Sequence, residues 1–181
     1  DFAKVRRGLT YTPMDCEKRG IRVLRSSNIE EDRFVLHDDD VFVRRDAADI
    51  PPVKVGDILI TSANGSSQLV GKHALVEGVT DGGVVHGGFM LLATSPESVF
   101  LNATMSASWY RNAVASVMMG GNGALGNLGQ ELLETMMLFA PHCKTERDKI
   151  GSLFGSVDTL MASREAALEK LRSLKKAMLE K

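Results

Sequence analysis

Two short polar runs hold the side chains best suited to chemistry. Arg25-Ser26-Ser27-Asn28 follows the apolar, cation-alternating stretch 19–24, and Thr61-Ser62-Ala63-Asn64-Gly65-Ser66-Ser67-Gln68 follows the apolar "DILI". Neither run contains a group that titrates near neutral pH, so neither is equipped for acid–base work. Both are rich in hydrogen-bonding groups that read base edges. Arg pairs bidentately with guanine, Asn and Gln pair with adenine, and Ser or Thr serves either. On this reading Arg25, Ser26, Ser27, Asn28, Thr61, Ser62, Asn64, Ser66 and Gln68 are candidates for DNA contact. Arg6, Arg7, Lys72 and Arg111 supply phosphate contacts that set register. For any one Ser or Asn, capping a turn is the competing role.

Other motifs offer less. Gly121-Asn122-Gly123-Ala124-Leu125-Gly126 matches the G-x-G-x-x-G dinucleotide fingerprint, which has meaning only between a strand and a helix. Here a helical pattern precedes it. The better expectation for 120–129 is a loop that approaches a polymer backbone, with Asn122 and Asn127 hydrogen-bonding to it. A nucleotide-binding enzyme using that loop stays open as the alternative. His142-Cys143 lacks companion ligands at zinc spacing, and no serine occupies a G-x-S-x-G elbow. "HDDD" at 37–40 reads as a solvated bend rather than a metal site. The expectation is a reader that is not an enzyme, with no metal and no cofactor of its own.

The elements that must position these residues fall into two parts. Within 1–144, strand-like runs occur at 21–24, 33–36, 41–45, 57–61, 69–76, 88–94 and 133–141. Turn signals such as "PPVKVGD", "ANGSS" and "DGG" separate them. A helix is expected from 95 to 119, with Ser95 as N-cap and Pro96 at the first helical position. The fold class predicted is α+β, with a twisted, mainly antiparallel sheet. From Thr145 onward proline is absent, and Thr145 with Asp148 resembles a capping box. Ile150, Leu153, Val157, Leu160, Arg164, Ala167, Leu171, Leu174 and Met178 follow 3–4 spacing, a heptad seam. A helix over 145–181 is about 55 Å long, too long for a head of this size to cover its stripe. It calls for another helix, and a homodimer or an intramolecular mimic of one is expected. A helix folded back on its own domain is the alternative. Arg164 interrupts the seam, as residues that fix register do.

Bulk properties narrow the classes. With 181 residues, 44% hydrophobic and 25% charged, the chain has globular composition. Its longest apolar runs are too short to span a bilayer. Cys16 and Cys143 show no pairing pattern, which points to a reducing compartment and a cytoplasmic location. The net charge of −1 by itself argues against a nucleic-acid binder, although the first 33 residues and the tail from 145 each tip basic. An opening at Asp1 without methionine is expected of a fragment.

Several blocks in order resemble the specificity subunits of type I restriction–modification enzymes. They are "GIRVLRSSNI", "VKVGDILIT", "QLVGKHALV", "GGFM", "GGNGALGNLG" and the tail through "LKKAMLEK". The resemblance covers nearly the whole chain and departs at "PHCKTERDKI", where the family more often shows Pro-Pro and Glu-Gln. It implies a target-recognition domain over 1–144 and a helical spacer over 145–181, half of a subunit that carries two of each. It implies double-stranded DNA as ligand. It also implies modification subunits that methylate adenine with S-adenosylmethionine, and restriction subunits that use ATP and Mg. A coiled-coil scaffold whose head binds protein is a third possible function.

Overall fold

The computed structural model describes residues 2–120 and 127–179. Nine strands come first: β1 (Lys4–Arg7), β2 (Cys16–Leu24), β3 (Ile29–Glu30), β4 (Arg33–Phe34), β5 (Val41–Val43), β6 (Ile58–Thr61), β7 (His73–Leu75), β8 (Val84–His86) and β9 (Met90–Thr94). Four helices follow: α1 (Ser98–Met105), α2 (Ser108–Gly120), α3 (Gln130–Thr135) and α4 (Lys144–Leu179). The class is α+β, as the patterning predicts.

One sheet runs β1-β9-β6-β7 with every pairing antiparallel. A second runs β5-β2-β8, in which β2 pairs antiparallel with β5 and parallel with β8. A β3–β4 hairpin completes the set. The first sheet is covered on both faces, which explains the unbroken apolar runs of its central strands. In β6, Ile58 and Ile60 point to a core shared with Leu101, Met105, Tyr110 and Val114 of α1 and α2. Leu59 points the other way, toward Leu24, Ile29, Val53 and Val84. The same period of two splits β9, with Leu91 and Ala93 on the helical side and Met90 and Leu92 opposite.

Three local expectations are corrected. The 95–119 segment forms two helices, broken after Met105. Its first begins at Ser98, because the Ser95 Oγ accepts the Glu97 amide at 3.1 Å in a tight turn ahead of the helix. Residues 136–140 join no strand. Thr145 lies inside α4; the carbonyl of Cys143 accepts the amides of Glu146 (3.1 Å) and Arg147 (3.2 Å) in the role expected of a cap.

α4 meets the head near its start. Gly151 is buried against α1, where a Cβ would stand 2.9 Å from the Phe100 nitrogen. Arg147 grips Glu97 through two bonds of 2.6 and 2.9 Å and also donates to the carbonyls of Pro141 and His142. Farther along, Glu165 pairs with Arg33 of β4. The predicted seam faces away from the head. Ile150 is half-buried, while Leu153, Val157, Leu160, Leu171, Leu174 and Met178 are 42–79% exposed and Arg164 is exposed with them.

Candidate nucleic-acid interface

The two polar runs leave the buried ends of strands in different sheets and meet. β2 ends at Leu24 and runs into a 3-10 turn, Ser26–Asn28. β6 ends at Thr61 and runs into the loop that contains Asn64. The Asn64 Nδ2 donates to the Ser26 Oγ at 3.0 Å, joining turns 38 residues apart. A third segment is pinned beside them. The Leu128 amide donates to the Ser62 carbonyl at 2.9 Å, and the Ser62 Oγ donates to the Leu128 carbonyl at 2.8 Å. Asn127 is thereby held, exposed, at the same rim.

Between these segments lies a cleft of about 680 Å³. Arg25, Ser26, Asn64 and Asn127 face it from the polar side. The turn from β8 to β9 lines it with Gly87, Gly88 and Phe89, and Thr10 and Tyr11 line it beside that turn. Nothing in their local sequence marks those two and Phe89 as neighbours of the polar turns. Gly87 lets the β8–β9 turn lie close, since a Cβ there would meet the Val23 Cγ1 at 3.3 Å and the Leu24 carbonyl at 3.4 Å.

The remaining candidates divide by what their polar atoms do. Gln68, Lys72 and Arg111 line a separate hollow of about 450 Å³ with Asp32, His73 and Tyr110. The 3-10 turn Ser67–Leu69 gives Ser67 and Gln68 to the hollow and neither to the cleft. Arg7, Ser27 and Ser66 are exposed. The Ser27 carbonyl accepts from the His37 Nε2 at 3.0 Å, and the Ser66 amide donates to the Asn64 Oδ1 at 3.0 Å.

Three candidates are withdrawn from DNA contact on physical grounds. Asn28 is fully buried and spends its amide within the fold. Its Oδ1 accepts the Arg25 amide at 2.8 Å, and its Nδ2 donates to the Val35 carbonyl and the Asp40 Oδ1 at 2.9 and 2.8 Å. Thr61 is 1% exposed. Arg6 turns inward to the carbonyls of Pro51 and Pro52 and to Asp57 at 3.6 Å, so its charge is partly neutralised. Asn28 still matters to the site, because it fixes the Arg25 backbone. Asn122, with most of the glycine-rich loop, lies outside the described residues.

Two buried histidines are held below their ordinary value. Burial lowers His86 from its ordinary value to about 4, and its Nε2 faces the Arg6 carbonyl at 3.3 Å. Burial likewise lowers His73, with the Asn102 side-chain bond acting against it. Among the described residues no His, Cys, Asp and Glu group of three or more could hold a metal ion. No described helix is long and apolar enough to cross a membrane. No protein-family model matches this chain, and no curated protein matches it.

Proposed function

We propose that this chain reads a short word of double-stranded DNA as half of a type I restriction–modification specificity subunit. The observation that carries the reading is the Ser26–Asn64 junction. It gathers Arg25, Ser26, Asn64 and Asn127 on one cleft that has base-reading groups and no acid–base pair. Lys72, Arg111 and Arg7 serve as phosphate contacts around it, which set position without reading sequence. Modification subunits bearing S-adenosylmethionine supply the methyl transfer, and restriction subunits using ATP and Mg supply cleavage. The setting is cytoplasmic.

The exposed apolar row of α4 supports the second half of the proposal. Water contact along Leu153, Val157, Leu160, Leu171, Leu174 and Met178 is relieved by a matching helix, and a second copy supplies one by two-fold symmetry. Antiparallel pairing spaces the two heads by about 55 Å, or ~16 base pairs along a parallel duplex. The same row favours the scaffold reading, in which the head binds protein. The nucleotide-enzyme reading loses its structural context, because the element before residue 121 is the helix α2 and not a strand.

The test is a mobility-shift selection on randomised duplexes with the cognate modification subunits present, followed by sequencing. The proposal requires enrichment of a defined word. Retention of duplexes without regard to sequence would refute it, and competition by protein ligands alone would favour the scaffold.

A further inference from the structure

Phe89 stands in the turn between β8 and β9 and is 74% exposed. Its backbone is fixed. The Phe89 carbonyl accepts the amides of Ser62 (2.9 Å) and Ala63 (3.1 Å). The neighbouring Gly87 amide donates to the Leu24 carbonyl at 2.9 Å, and the Met90 amide donates to the Gly87 carbonyl at 2.8 Å. A single exposed aromatic is ordinary on a protein surface. This one is anchored to the ends of both reading strands and lines the same cleft as Arg25, Ser26, Asn64 and Asn127. Gly87 and Gly88 have no side chain to cover it.

Polar readers leave one base poorly defined. Arg recognises the two acceptors of guanine, and Asn recognises the acceptor–donor pair of adenine. Thymine offers an acceptor and a C5-methyl, and the methyl is its distinguishing mark in the major groove. Only an apolar group in the cleft can sense it. Resting on the DNA-reading proposal above, we propose that Phe89 is a specificity-determining residue that contacts the C5-methyl of a thymine in the recognised word.

The experiment uses the full chain with its modification subunits and the duplex selected for the unchanged chain. Phe89→Ala is compared with it on that duplex and on copies in which each thymine in turn is replaced by uracil. The replacement removes only the methyl. At one position uracil should weaken the unchanged chain about four-fold, the equivalent of about 0.8 kcal/mol for one apolar carbon. Phe89→Ala should bind the thymine duplex at least as weakly and should not distinguish thymine from uracil there. Phe89→Leu, still apolar, should restore part of the preference. The inference is overturned if the selected word contains no A·T pair, or if Phe89→Ala binds as tightly as the unchanged chain. It is also overturned if the variant weakens thymine and uracil duplexes while keeping the same ratio, as a wedge between base steps would. Those results leave sequence selection by the chain intact, whereas absence of any selected word removes the underlying proposal as well. The exposed ring carries little of the fold, so an unchanged melting curve serves as the control.

Discussion

Two glycines on α4 should respond to the same substitution with opposite signs. Alanine relieves the conformational cost of glycine inside a helix, a gain of about 1 kcal/mol. At Gly155 nothing opposes the gain, since the nearest atom a Cβ would meet is the Val99 Cγ1 at 3.9 Å. At Gly151 the same Cβ would stand 2.9 Å from the Phe100 nitrogen, 3.1 Å from its Cα and 3.2 Å from the Val99 carbonyl carbon. Those are backbone atoms of α1 and cannot rotate aside. Overpacking of this kind costs about 1–3 kcal/mol, so Gly151→Ala should lose about 1 kcal/mol net, whereas Gly155→Ala gains up to that amount. For a chain of this size 1 kcal/mol moves Tm by about 2–4 °C. Thermal and urea unfolding followed by circular dichroism at one fixed protein concentration, because association would shift both curves, should place the two variants on opposite sides of the parent. Equal stabilisation by both would refute the packing of α4 on α1 described here.

Arg25→Ala should lower specific DNA binding by about 1–3 kcal/mol and leave Tm unchanged, because the side chain is exposed. Asn28→Ala should do the reverse in origin: it removes three hydrogen bonds made by a fully buried side chain, costs about 2 kcal/mol of stability, and weakens binding only through the fold. Denaturation and anisotropy measured on both variants separate the two. On α4, Leu160→Glu with Leu171→Glu should give a monomer by light scattering, and Arg164→Leu should tighten association because a polar seam residue costs stability. A parent that is already monomeric at micromolar concentration contradicts the pairing. With pH the sign is set by His86. Its folded value of about 4 lies below its ordinary value of 6.5, so the unfolded chain binds more protons between them. Stability should be flat above pH 6.5 and fall by about 3 kcal/mol down to pH 4. His73, shifted the same way, steepens the fall, and His86→Gln should flatten it.

The sheet core was legible because covered strands leave unbroken apolar runs, as at 58–61 and 90–94. β1 escaped notice because only Val5 of its four residues is buried, so a charged edge strand looks like a basic turn. β8 has three residues, too few for any period, and its pairing with β2 is parallel and distant in sequence. The opposite error occurred at 136–140. Met136 and Leu138 pack inward while Met137 and Phe139 are 88% and 102% exposed. That alternation is strand-like, yet no neighbouring strand is there to pair with it. At the site, letters identified polar turns but not how their groups are used. Nothing local separates Asn28, whose amide is consumed by the backbone and Asp40, from Asn64, which reaches another turn. Phe89 and Tyr11 join the cleft only through the β8–β9 turn and the Leu9–Gly87 bridge, contacts that span most of the head.

The most direct measurement is the ratio of the dissociation constant for a scrambled duplex to that for the selected one of equal length. It is measured by fluorescence anisotropy across a series of salt concentrations with the modification subunits present. The account predicts a ratio on the order of 10³ or more at physiological salt, with each dissociation constant rising along a similar salt slope because the phosphate contacts are shared. A ratio near one at every salt concentration would contradict it.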